Sequence, residues 1–231
     1  MIKAVAFDID GTLYRNSSLN SLLGSWFMKN HRQLRAYGKI RKEIRALDAA
    51  GQWNAREHFF TKQGELLGRE LGIDAIKAEE WVEKEIYQGW APLFEYIPPI
   101  RYLEPTLAAL KREGYKIAAL SDFPPEQKLV NMGIEKYFNV ILGAENIGYL
   151  KPSPVPFAEL AKALDTAPNE ILYVGDNVEY DIMGAKKAGM QAAYIGPCWA
   201  FLGKIRAKQE GACFILSNYA NFMKKLKCIA A

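Results

Sequence analysis

Asp8-Ile9-Asp10-Gly11-Thr12 stands directly behind an apolar run, Ile2 and Ala4-Val5-Ala6-Phe7. The run reads as a short buried strand, so two carboxylates leave its end into a glycine turn. If the segment stays extended, the side-chain period of two puts Asp8 and Asp10 on the same side. Close carboxylates repel unless a cation or a proton offsets them. One can then be a nucleophile and the other a proton donor, with Mg²⁺ between them.

Three further features follow at ends of apolar runs, and together they suit phosphoryl transfer. Ser121, followed by Asp122, ends the run Lys116-Ile117-Ala118-Ala119-Leu120; a hydroxyl with an exposed backbone N–H can hold a phosphoryl oxygen. Lys151 in Leu150-Lys151-Pro152-Ser153-Pro154 is a point charge held by a proline-rich turn, suited to offset Asp8 and a phosphoryl group. Asp176, in Gly175-Asp176-Asn177, follows Ile171-Leu172-Tyr173-Val174, with Asp181 about one helical turn later. Hard oxygen ligands there suit octahedral Mg²⁺. Taken singly, each has a plainer reading: a polar strand end, a turn serine, a solvated lysine, an N-capping aspartate. Their order, each behind an apolar strand, is what joins them.

The elements that must position these residues alternate from Tyr102 onward. Leu103, Leu107 and Leu110 recur at helical spacing before Gly114. Strands are predicted at Lys116–Leu120, Asn139–Leu142, Glu170–Val174, Gln191–Ile195 and Cys213–Leu216. Helices are predicted at Glu126–Met132, Pro154–Leu164 and about Val178–Ala188, with a terminal one from Asn218 to Lys227 and a frayed tail from Cys228. This alternation predicts a doubly wound, mostly parallel α/β sheet, with its site beyond the carboxyl ends of the strands.

Residues 14–100 break the pattern with helical segments and no convincing strand. Asn54-Ala55-Arg56-Glu57 resembles a capping box, Gly72 ends that helix, Asp74 opens another toward Gly89, and Phe94–Pro99 reads as a return linker. The division is therefore 1–13 and 101–231 as α/β core, with 14–100 as an all-helical insertion. Residues 15–48 carry a net charge of +6 and residues 49–95 a net −4. These fit two solvated faces that attract each other, or basic residues among Arg15, Arg32, Arg35 and Arg41 that draw in an anionic substrate.

The chain has 231 residues, 50% hydrophobic and 24% charged, enough to bury a core around a site. A net charge of +4 is mild, and no nucleic-acid motif is present, so nucleic acid is not expected as a partner. Cys198, Cys213 and Cys228 are odd in number and widely spaced, with only His31 and His58 to assist a zinc site. Reduced thiols in a cytoplasmic protein fit this best. A strand begins at once with no leader, and no stretch is long and apolar enough to span a bilayer, so no export and no membrane are expected.

Taken together, the motifs resemble those of the haloacid dehalogenase superfamily. Asp8-Ile9-Asp10-Gly11-Thr12-Leu13 is similar to its first motif, Ser121 to the second, Lys151-Pro152 to the third, and Gly175-Asp176-Asn177 through Asp181 to the fourth. The resemblance covers the core on both sides of the insertion; residues 14–100 match a helical cap only in position, length and helical character. It implies that Asp8, the backbone carbonyl of Asp10, and Asp176 bind Mg²⁺, with Asp181 at or just beyond the ligand sphere. It also implies a cap that opens and closes over the site. Asp122 departs from the pattern, because many relatives carry asparagine there. A binding role for its backbone N–H makes the change harmless, which is the version we expect; a side chain facing the phosphate makes the charge unfavourable.

The expected function is a Mg²⁺-dependent phosphatase acting on a small phosphorylated metabolite. Asp8 forms the aspartyl phosphate, Asp10 is general acid and base, and Ser121, Asp122 and Lys151 bind phosphate. A sugar phosphomutase, a phosphonatase using a cap lysine such as Lys29 or Lys39, and a non-catalytic binding or regulatory protein are the alternatives. Substrate choice is expected from cap residues among Trp26, Arg32, Arg35, Arg56 and His58. Lys151→Ala is expected to lower turnover with little change in thermal stability.

Overall fold

A computed structural model describes residues 1–54 and 58–230. Six strands form one parallel sheet: β1 (Ala4–Phe7), β2 (Lys116–Ser121), β3 (Val140–Gly143), β4 (Ile171–Gly175), β5 (Gln191–Ile195) and β6 (Phe214–Leu216). Their spatial order is β3-β2-β1-β4-β5-β6. The chain runs outward from β1 in one direction through β2 and β3, and in the other through β4, β5 and β6. The order reverses at β1 and β4, the place where open parallel sheets bind ligands.

β1 shows why the sheet is buried on both faces. Val5 and Phe7 pack with Leu107, Leu110 and Phe222 on one face, while Ala4 and Ala6 pack with Phe157, Leu160 and Ile182 on the other. The period of two sends alternate residues to opposite layers, and both sets are apolar, as a parallel sheet requires.

The chain leaves the sheet at Leu13 and Tyr14 and returns at Pro99 and Ile100. Tyr14 and Pro99 form an antiparallel bridge, and the Ile100 N–H donates to the Leu13 carbonyl at 2.8 Å. Between them lie α1 (Asn16–Leu22), α2 (Gly24–Ala49), α3 (Phe59–Leu71) and α4 (Ala75–Trp81), then a π-helical stretch, Val82–Gln88, and a 3₁₀ turn, Ala91–Tyr96. Gly72 closes α3 in the left-handed conformation, and the Asp74 side chain caps α4 by accepting from Ile76 and Lys77. The capping box falls partly outside the described residues, because Ala55, Arg56 and Glu57 are not among them. Tyr37, Ile40, Ile44, Trp53, Phe59, Leu67 and Val82 of the insertion form a second core that also takes in Leu150. Lys39 pairs with Glu70 and Arg69 with Glu43, so part of its uneven charge is spent between its own helices.

The rest of the chain supplies α5 (Leu103–Arg112), α6 (Glu126–Asn131), α7 (Ala144–Ile147), α8 (Pro154–Ala163), α9 (Gly184–Lys187), α10 (Phe201–Gln209) and α11 (Phe222–Ala230). α11 begins later than Asn218 and runs through Cys228. The predicted frayed tail is helix because Ile229 packs on the core beside Leu226. Among the described residues no helix is long and apolar enough to cross a membrane.

Candidate active site

The carboxyl ends of β1, β2 and β4 surround a cavity of about 250 Å³ lined by Asp8, Asp10, Asp122, Lys151, Asp176 and Asp181, with Arg41 and Arg45 from α2. Residues distant in sequence meet here because adjacent parallel strands end at one edge. β1 delivers Asp8 and Asp10, β2 delivers Ser121 and Asp122, β4 delivers Asp176, and the turn between α7 and α8 delivers Lys151.

Lys151 is the central cation. Its Nζ lies 2.6 Å from Asp8 Oδ1, 2.6 Å from Asp181 Oδ1 and 3.1 Å from the Tyr173 hydroxyl. Thr12 donates to Asp8 Oδ2 at 2.9 Å, and the Asn177 N–H donates to Asp181 Oδ2 at 3.0 Å. Two glycines make room for the acids. A Cβ on Gly11, whose φ is +89°, would meet Asp176 Oδ2 at 2.0 Å, and one on Gly175 would meet the Asp181 Cβ at 2.3 Å. Lys151 is only 3% exposed, so its removal strands two buried carboxylates. The expectation that Lys151→Ala spares stability is therefore corrected: the lysine is structural as well as suited to bind phosphate.

Asp10 is held differently from Asp8. The extended strand stops at Phe7 and a turn begins at Asp10, with Thr12 and Leu13 N–H groups both donating to the Ile9 carbonyl. The two carboxylates thus reach one cavity through a turn and not through strand pleating, a correction to the period-two reading. Lys128 of α6 reaches both Asp10 oxygens, at 2.8 and 2.9 Å. Ser121 Oγ donates to Asp10 Oδ2 at 3.1 Å and Tyr14 OH to Oδ1. Burial alone would raise the Asp10 carboxyl, but Lys128 and the Tyr14 and Ser121 hydrogen bonds hold it below its usual range. The Ser121 hydroxyl, predicted to face phosphate, is thus committed to Asp10 and to the Phe123 N–H, from which it accepts at 3.2 Å.

Asp8, Asp176 and Asp181 each offer an oxygen within 4.8 Å of the others. Burial and mutual repulsion push Asp8 up to about 7 despite Lys151, and Asp176 to about 8. One lysine offsets only part of this charge, and a divalent cation would remove the rest. Hard carboxylate oxygens and an acidic excess fit Mg²⁺. Asp176 has no hydrogen-bond donor among the described residues, whereas Asp181 has a partner on each oxygen. The Asp10 carboxylate lies outside this group, which leaves its main-chain carbonyl as its route to a metal.

Asp122 was expected to act through its backbone, but its side chain lines the cavity. Oδ2 sits 2.5 Å from Arg45 Nη2 and 3.5 Å from Arg41 Nη2, and Oδ1 accepts from the Lys151 N–H at 2.9 Å. Against burial, Arg45, Arg41 and Lys151 hold its carboxyl below the usual range. The charge that seemed unfavourable is neutralised by the helical insertion. Arg45 also donates to the Lys151 carbonyl at 2.7 Å and lies 4.1 Å over the Tyr180 ring. Arg41 pairs with the buried Glu145 of α7, which accepts from Tyr87 OH at 2.6 Å.

Arg41 is thus the one arginine of the predicted basic group that lines the cavity. Arg15 binds the Ser217 carbonyl, Arg32 the Leu71 carbonyl, and Arg35 and His58 are exposed. Arg56 lies outside the described residues. Trp26 stacks on Trp81 and donates to Glu85 within the insertion. Lys29 is exposed, and Lys39 pairs with Glu70 away from the cavity. Reading by motif missed Lys128, Tyr14, Tyr173, Arg45 and Glu145. Only Arg45 carried a signal, lying one helical turn beyond Arg41 on the same face.

Known proteins place this geometry in context. A family model described as haloacid dehalogenase-like hydrolase matches residues 2–189. Glyceraldehyde 3-phosphate phosphatase of Methanopyrus kandleri is 30% identical over 202 residues, covering 82% of each chain. Pyrophosphatase PpaX of Bacillus mycoides is 26% identical, covering 99% of this chain and 98% of its own. Among solved structures, a HAD phosphatase from Thermococcus onnurineus superposes with a TM-score of 0.61 at 23% identity, covering 97% of this chain and 98% of that one. L-2-haloacid dehalogenase from Xanthobacter autotrophicus gives 0.67 at 20% identity, covering 98% and 99%.

Proposed function

The chain belongs to the haloacid dehalogenase-like hydrolases, and from that premise we propose that it is a Mg²⁺-dependent phosphatase of a small phosphomonoester, acting in the cytoplasm. The observation that carries this reading is the Asp10 carboxylate, half-buried at the same cavity as Asp8 and held by Lys128, Ser121 and Tyr14. An acid beside the nucleophile has work to do when an alkoxide leaves and none when a halide leaves. The relatives named as phosphatases support the same choice.

Asp8 attacks phosphorus, the P–O bond to the leaving group breaks, and the departing oxygen takes a proton from Asp10. Water then attacks the aspartyl phosphate, returns a proton to Asp10 and frees Asp8 and inorganic phosphate. At rest Lys128 holds Asp10 ionised; an arriving phosphate dianion raises its proton affinity, so substrate and proton enter together. Lys151 orients Asp8 and faces the phosphoryl oxygens. Asp8, the Asp10 carbonyl and Asp176 would hold Mg²⁺, with Asp181 supporting through Lys151 and Asn177. The metal supplies charge neutralisation for the transferring group. Residues 14–100 act as the cap, with Arg41 and Arg45 closing the cavity.

The test is phosphate release from glyceraldehyde 3-phosphate, p-nitrophenyl phosphate and pyrophosphate, with Mg²⁺, with EDTA, and with Asp8→Asn. We expect release that needs the metal and is abolished in the variant. Steady hydrolysis by undeamidated Asp8→Asn would overturn the assignment, and slow hydrolysis with a bisphosphate requirement would indicate a mutase.

A further inference from the structure

Phe123 follows Asp122 at the end of β2 and lines two cavities at once. One is the catalytic cavity of about 250 Å³. The other, about 330 Å³, lies between the helical insertion and α6, walled by Ile86, Tyr87, Trp90, Ala91, Pro124 and Lys128. The ring is clamped from both. Arg41, which borders the catalytic cavity, has its Cζ 4.5 Å from the ring centroid; Lys128, which borders the second, has its Nζ at 4.8 Å. Tyr37 stacks on it at 6.5 Å and Tyr87 meets it edge-on at 6.4 Å. A phenyl ring with two cations and two aromatic rings against it has little room to swing.

We propose that Phe123 is a partition that sets substrate size for the phosphatase reaction, an inference that rests on the function proposed above. The catalytic cavity alone is below the roughly 300 Å³ at which drug-sized ligand pockets begin. It therefore takes a phosphate ester with a short leaving group, on the scale of a few carbons. Removing the ring joins the two cavities and more than doubles the space. Ile86, Trp90, Ala91 and Pro124 give the added walls apolar surface, and Glu83 and Glu126 add negative charge, so the enlarged site takes uncharged aliphatic or aromatic leaving groups. This places size selection partly in the core loop, beside the arginines of the insertion.

Hydrolysis-inert phosphonates test this by binding alone. The dissociation constants of methyl-, propyl-, hexyl- and phenylphosphonate are measured by calorimetry on the Mg²⁺-loaded wild type and Phe123→Ala. The wild type is expected to bind the short members and to lose affinity at hexyl and phenyl. In Phe123→Ala the affinity for hexylphosphonate relative to methylphosphonate is expected to rise about tenfold over the wild-type ratio, the scale of burying two methylenes. Phe123→Leu, a gentler change, is measured in parallel and serves if Phe123→Ala does not fold; a smaller shift in the same direction is expected. An unchanged chain-length profile in a folded variant, where the wild type shows Mg²⁺-dependent hydrolysis, overturns the partition alone. Failure of every phosphonate to bind either protein counts against both the partition and the phosphatase reading.

Discussion

Lys128 grips Asp10 by both carboxylate oxygens, at 2.8 and 2.9 Å, across 118 positions of sequence. The lysine is buried beneath the Phe94 and Phe123 rings, where a charge attraction is screened little by solvent. Its effect is to keep Asp10 ionised and fixed in direction.

Lys128→Met should therefore raise the Asp10 proton affinity and let the carboxylate turn. The pH limb of kcat that reports Asp10 should move to higher pH, and kcat should fall more than KM rises. Lys128→Arg, which keeps the charge, should recover part of the loss. A pH–rate profile that is unchanged in the folded methionine variant would show that the pair is only structural.

The strand-end residues are legible in the sequence because β1, β2 and β4 are each a separate apolar run that leads to one of them. Asp8, Ser121 and Asp176 could be placed at one edge from strand alternation alone, since parallel strands end on the same side. Lys128, Tyr14 and Glu145 could not. Lys128 sits within a helix like any surface lysine, and only the packing of α6 beneath the 3₁₀ turn Ala91–Tyr96 sends it inward. The sequence around Asp181 predicts plain helix. The Asn177 carbonyl accepts from both Asp181 and Ile182, at 3.0 and 3.2 Å, and this wider π-type turn brings Asp181 to Lys151. Helical periodicity does not report such an added residue.

Lys151→Ala should destabilise the fold as well as stop turnover. Asp8 and Asp181 each sit 2.6 Å from its Nζ, with every partner buried. Removing one member of a buried ionic cluster costs about 3–5 kcal/mol. Denaturant unfolding at alkaline pH should show a loss approaching this size, shrinking through neutral pH as Asp8, already lifted to about 7 with the lysine present, takes up a proton. Stability within about 0.5 kcal/mol of wild type, the usual range for a solvated surface site, would contradict the buried cluster.

Metal-free protein should lose stability as pH rises from about 4 to 8. Burial and like charge lift Asp8 to about 7 and Asp176 to about 8, and burial lifts Glu145 in the same direction. Unfolded carboxyls titrate near 4, so within this window the folded state binds more protons than the unfolded one. Stability then falls with rising pH. It is fully present below the unfolded values and lost as pH passes the folded ones. Asp10 and Asp122, held low, act in the opposite sense, but only below the window. Mg²⁺ binds the ionised acids of the folded state, so it should raise Tm more at pH 8 than at pH 5.5 and flatten the profile. At a hundredfold excess over Kd the gain is about 2.7 kcal/mol. Thermal scans in EDTA and in Mg²⁺ across this range decide it. A metal-free Tm that climbs steadily from pH 5.5 to 8, or a Mg²⁺ shift of equal size at both ends, would mean that Asp8, Asp176 and Asp181 do not share a cation-deficient site.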